Sequence, residues 1–160
     1  LLGPLVNPFK PQYQVLGVAR QDLLDPMAFA LQRLGSKRAV VVYGSGGLDE
    51  ASLEGPNELR LLENGQLSTS FVDASEVGLE NASNKALAGG DLLQNKKILT
   101  DVLKGHGNSA QRDVVALNTA LVLWSAGLEK DLQSGVSIAL NCLKEGKAWQ
   151  KLENLRSVLN

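Results

Sequence analysis

The stretch Arg38-Ala39-Val40-Val41-Val42-Tyr43-Gly44-Ser45-Gly46-Gly47-Leu48-Asp49-Glu50 decides the fold. Its core, Ala39 to Val42, is an uninterrupted apolar run rich in β-branched residues, with no polar position to face water. A strand of that kind is buried on both faces, which requires layers packed above and below a sheet. The glycines that follow end the strand and lead directly into two adjacent carboxylates, Asp49 and Glu50. They therefore fall just past the carboxyl end of a buried strand, the edge at which open α/β sheets bind ligands.

Upstream, Tyr13 to Ala19 mixes aromatic, β-branched and small apolar residues after Pro8 and Pro11, and predicts a strand. Asp25-Pro26 predicts a helix start by N-cap and first-turn proline, with Phe29, Leu31 and Leu34 as its apolar face and Gly35 as its stop. Strand, helix and strand in that order predict a parallel pair. Downstream, Asn57 to Glu63 and Gln66 to Val72 flank Asn64-Gly65, a strong hairpin signal, so this side of the sheet is expected to be antiparallel.

Beyond Asp73 the pattern becomes helical. Leu92, Leu93, Ile98, Leu99, Val102 and Leu103 mark one segment, and Val114 to Ala126 a second, predicted to be central and buried. Leu132, Val136, Ala139, Leu140 and Leu143 mark a third, and Trp149, Leu152, Leu155 and Leu159 a fourth, with Trp124 and Trp149 read as core residues. Neither a repeat nor a low-complexity linker divides the chain, so the expected architecture is a single α/β domain, a mixed sheet covered by helices.

With 160 residues, 44% of them hydrophobic, the chain can bury a sizeable core. Its 16 basic and 17 acidic residues nearly cancel, which argues against nucleic acid or an anionic membrane surface as a partner. Cys142 is the only cysteine, read as a small hydrophobe in a helix; no internal disulfide can form, and a reducing, cytoplasmic compartment is expected. The stretch from Val114 to Ala126 is too short to span a bilayer. Leu1 opens an apolar, turn-rich phrase, as the interior of a longer domain would.

Among chemistry-bearing residues, Asp49 and Glu50 suit a hard divalent cation such as magnesium, which binds phosphate-bearing substrates in turn. Spacing alone does not separate that reading from a solvated surface pair. Ala88-Gly89-Gly90-Asp91 has the composition of a phosphate-cradling loop, but Asp91 is better placed to cap the helix after it. His106, the sole histidine, sits in an inter-helix loop without nucleophilic partners of known type.

Three phrases, in this order and spacing, resemble anthranilate phosphoribosyltransferase: Leu2-Gly3-Pro4-Leu5-Val6-Asn7-Pro8; Gly47-Leu48-Asp49-Glu50-Ala51-Ser52 continuing to Gly55-Pro56; and Gln111-Arg112-Asp113-Val114-Val115-Ala116-Leu117-Asn118. Leu87 to Asp91 and Gly146 to Leu152 are similar as well, so the resemblance spans the chain. It implies a nucleoside phosphorylase/phosphoribosyltransferase-like large domain, residues 1–160 being its C-terminal part. The family's helical N-terminal domain, its Gly-Thr-Gly-Gly-Asp phosphate loop, its Lys-His-Gly-Asn segment and its anthranilate-binding arginine would lie upstream.

The implied activity is transfer of phosphoribosyl from phosphoribosyl pyrophosphate to the amine of anthranilate, in tryptophan synthesis. Asp49 and Glu50 match the acids that hold Mg2+ against the diphosphate, and Gly3 and Pro4 match the loop lining the anthranilate pocket. Arg112 and Asp113 match a structural segment, Asp113 being expected at a helix start. The parent is expected to be a homodimer through the N-terminal domain, and residues 1–160 alone to be inactive. The alternatives are a non-catalytic relative serving as a binding or assembly module, against which the retained acids argue, and a related pyrimidine nucleoside phosphorylase.

Overall fold

The computed structural model describes residues 3–159; Leu2, the start of the first family-like phrase, lies outside them. Four strands lie side by side in chain order: β1 (Tyr13–Gly17), β2 (Arg38–Tyr43), β3 (Asn57–Glu63) and β4 (Gln66–Val72). β1 and β2 are parallel, with Gly17 opposite Val42, while β2, β3 and β4 are successively antiparallel. The mixed sheet expected from the sequence is therefore present, with β2 and β3 over their predicted ranges. The crossover helix α1 (Leu24–Arg33) joins β1 to β2. The β3–β4 turn holds Asn64 at φ 51° and Gly65 at φ 77°, the left-handed pair of a type I′ hairpin.

β2 shows why the apolar run is continuous. Val40 and Val42 enter one core with Leu59, Leu117, Leu121 and Val136, while Ala39 and Val41 enter the other with Leu16, Leu24, Leu31 and Leu62. The first core lies beneath α3 (Ser109–Ser125) and α4 (Leu132–Lys144), the second beneath α1. Two further helices, α2 (Leu92–Leu103) and α5 (Lys147–Leu159), form an outer layer in which Val102 is the only buried residue among those described.

Several local expectations are corrected. β1 ends at Gly17 rather than Ala19, although the Val18 amide still donates to the Val42 carbonyl. Asp25 does not cap α1: a 3-10 turn over Gln21–Leu23 runs straight into the helix, leaving Asp25 in its first turn. The buried face of α1 is Leu24, Met27, Ala28 and Leu31, so Phe29 and Leu34 point to solvent. Leu92, Leu93 and Leu99 are likewise exposed, because α2 packs by its end and not along its length.

The central helix begins at Ser109, capped by Asn108, so Asp113 lies one turn inside it, buried and paired with Arg112 at 2.7 Å. α3 is buried on one face only, with Val115 and Val122 exposed. Trp124 and Trp149 are half-buried shelves for cations: Arg38 lies 4.2 Å from the first ring and Lys104 4.4 Å from the second. Cys142 is half-buried and carries a free thiol.

Candidate functional site

At the carboxyl end of the parallel pair the chain makes a tight turn. The Gly44 amide donates to the Leu48 carbonyl at 2.8 Å, closing the segment into a short antiparallel bridge. The path after Leu48 then runs across the ends of the two parallel strands, in the space where side chains at Gly17 and Gly44 would lie. A Cβ on Gly17 would lie 1.5 Å from the Asp49 carbonyl oxygen, and one on Gly44 would lie 1.9 Å from that of Glu50. Both strand ends must therefore be glycine for the acidic segment to lie where it does.

Beyond the acids the chain is gripped again. Asn118 of α3 accepts from the Ala51 amide at 2.9 Å and donates to the Ala51 carbonyl at 2.8 Å. Asn57, wholly buried at the start of β3, accepts from the Ser52 and Ser45 amides at 2.6 and 3.2 Å. Its amide nitrogen donates to the Ser52 and Val72 carbonyls at 3.0 and 2.9 Å, so every hydrogen-bonding site of the side chain is used. Asn84 joins Ser45, Ser52 and Glu54 into the same buttress.

Asp49 and Glu50 are exposed, and their carboxylates make neither hydrogen bonds nor ion pairs among the described residues. No group of three or more potential metal-ligating side chains occurs among the described residues. Two exposed, unpaired carboxylates fit a magnesium ion that keeps waters and takes its remaining ligands from phosphate; they do not fit an all-protein cage. Of the two residues placed by resemblance in an acceptor pocket, Pro4 lines a cleft of about 380 Å³ together with Asp49. Gly3 starts the 3-10 turn Gly3–Val6 beside it, exposed and with open space around its Cα.

The cleft wall is apolar: Leu16 of β1 and Val18 just past it, Leu23 from the 3-10 turn and Met27 from the first turn of α1. Arg20 stands at its rim, and its hydrogen bonds to Asp22, at 3.0 and 2.6 Å, raise its pKa and lower that of the aspartate. The turn that carries these residues is tied to the sheet by a charged network. Arg60 donates to Glu58 at 2.7 Å and to Asp25 at 2.5 Å, and Gln21 donates to Glu58 at 2.6 Å. Arg60 first, then Gln21, holds the Glu58 carboxyl below its ordinary range.

The remaining candidates fall away from this place. Asp91 caps α2 by accepting from the Gln94 amide at 2.8 Å, and Asn95 grips both polar groups of Gly90. The Gly89-Gly90 segment is thus a helix entry. His106 is exposed in the turn between α2 and α3. Among the described residues, no helix is long and apolar enough to cross a membrane. Arg20, Asn57 and Asn118 escaped the sequence reading; only Asn118 stood inside a quoted phrase, without a role.

The chain is similar to known proteins over its whole length. Anthranilate phosphoribosyltransferase of Prochlorococcus marinus (strain MIT 9313) is 64% identical over 160 residues, all of this chain but 46% of that protein. The chain thus spans about half the length of the curated relatives it matches. Among solved structures, anthranilate phosphoribosyltransferase from Thermus thermophilus superposes with a TM-score of 0.85 at 38% identity, over 96% of this chain and 45% of that one. The Saccharomyces cerevisiae enzyme in complex with PRPP and Mg gives 0.83 at 28% identity, over 95% and 44%. The profile of the glycosyl transferase family, a/b domain, matches residues 1–149, and the chain belongs to that family.

Proposed function

We propose that residues 1–160 are the C-terminal part of the catalytic α/β domain of an anthranilate phosphoribosyltransferase, which moves phosphoribosyl from phosphoribosyl pyrophosphate to the anthranilate amine and releases pyrophosphate. The observation that carries this reading is the meeting of Pro4 and Asp49 at one cleft, with Glu50 next in the chain and both carboxylates free of protein partners among the described residues. Asp49 and Glu50 would hold Mg2+. When bound, the ion neutralises charge on the departing diphosphate. Leu16, Val18, Leu23 and Met27 offer an aromatic acceptor an apolar wall, and Pro4 fixes the approach of the loop above it. The chain thus supplies position and a cation seat, and transfer needs no covalent enzyme intermediate.

In the complete polypeptide, Asp49→Asn and Glu50→Gln should each raise the Mg2+ concentration needed for half-maximal anthranilate consumption and lower kcat. Unchanged magnesium dependence in both variants would sink the reading and favour a non-catalytic binding or assembly module. Residues 1–160 alone should not consume anthranilate, because the phosphate-holding residues implied by the resemblance are not among them.

A further inference from the structure

Neither acid has a hydrogen-bonded anchor of its own among the described residues, while the residues on either side do. Leu48 before the pair is fixed by Gly44, and Ala51 after it by Asn118. Ala51 is fully buried, so no water can replace its partner. Asn118 Nδ2 also donates to the Val114 carbonyl at 3.0 Å, the helical carbonyl one turn earlier. That pairing sets the amide orientation: the nitrogen faces two carbonyls and the oxygen faces one N–H. A carboxylate in its place would turn an anion toward both carbonyls. Asn118 and Glu50 also line the same shallow groove on α3.

We propose that Asn118 is the positioning residue of the cation site. It fixes the backbone next to Glu50 from α3, so that the two carboxylates are ordered before a cation arrives. Groups outside the ligand set that orient ligands change metal affinity by about 10- to 100-fold when removed. The proposal rests on the reading of Asp49 and Glu50 as cation ligands.

The test uses the complete polypeptide and Mn2+ with pyrophosphate as the probe, followed by electron paramagnetic resonance. Asn118→Asp and Asn118→Ala should weaken Mn2+ binding about tenfold, lower kcat and leave the KM for anthranilate nearly unchanged. Leu121→Ala, on the same helix and fully buried, is the control: it should lower Tm with Mn2+ affinity intact. Folded Asn118 variants that bind Mn2+ as the unaltered protein does would overturn the proposal, as would an equal loss of affinity in Leu121→Ala. If Asp49→Asn leaves Mn2+ binding unchanged, the cation-site reading itself has failed. A measurement on the unaltered protein stands apart from the folding of any variant. Because coupling is reciprocal, Mg2+ with pyrophosphate should slow hydrogen exchange at the Ala51 amide; no slowing would also overturn the proposal.

Discussion

The carbonyl oxygen of Asp49 occupies the place where the Cβ of any other residue at position 17 would be, 1.5 Å from the ideal site on Gly17. The end of a strand and the loop that carries the two acids thus share one volume. Gly17→Ala cannot be absorbed by a side-chain rotation, because the obstacle is backbone. It should destabilise the fold by about 1–3 kcal/mol and, in the complete polypeptide, raise the magnesium requirement. Denaturant titration and a magnesium titration of activity check the two effects separately.

Asn57 presents a sharper stability test. Replacing it with alanine strips partners from the Ser45 and Ser52 amides and from the Ser52 and Val72 carbonyls. Each buried backbone group left unpaired costs about 1–3 kcal/mol. Asn57→Ala should therefore rank among the most damaging single substitutions in the chain, above any surface change, by urea midpoint.

At the hairpin, Gly65→Ala places a side chain at φ 77°. The left-handed conformation costs a non-glycine residue about 1–2 kcal/mol. Gln32 also donates to the Gly65 carbonyl at 2.7 Å, tying the turn to α1. Lower Tm with unchanged magnesium dependence is expected, since the turn lies at the end of the sheet remote from the acids.

Stability should fall in acid. The Glu58 carboxyl is held below its ordinary 4.5 by Arg60 first and Gln21 second, and Asp73 and Asp131 lie below 3.8 through hydrogen bonds at the starts of their helices. Lowered folded-state values mean that folding releases protons; the stabilisation is complete above about pH 4.5–5 and is lost as pH drops through the lowered values. Unfolding midpoints from pH 6 to pH 3 should follow that course. Glu58→Gln should make the decline shallower, and a decline equally steep in that variant would contradict this account.

The sheet was legible because its evidence is local. Four consecutive apolar residues from Ala39 have no solvent face, and Asn64-Gly65 fits a two-residue turn whatever surrounds it. The face of α1 was misread since Leu24 precedes the apparent cap Asp25-Pro26, and only the 3-10 turn before it shows that the helix has already begun. Leu92 and Leu93 look like core in sequence and lie on the outside, because burial depends on what packs against a helix as well as on its own pattern. Asp49 and Glu50 stood out by type and position, whereas Asn57 and Asn118 did not. An asparagine acquires its role from the backbone it meets, and for Asn118 that backbone is 67 residues away.

That separation also has a consequence in time. The β3–β4 hairpin closes across two residues, while the bond from Asn118 to Ala51 waits for a loop of 67 to close and for α3 to dock on the sheet. Short loops close fast and long ones carry a larger entropic barrier. Cation affinity should therefore be the last property to return on refolding, after far-ultraviolet ellipticity has recovered, and the first to be lost when α3 loosens from the sheet.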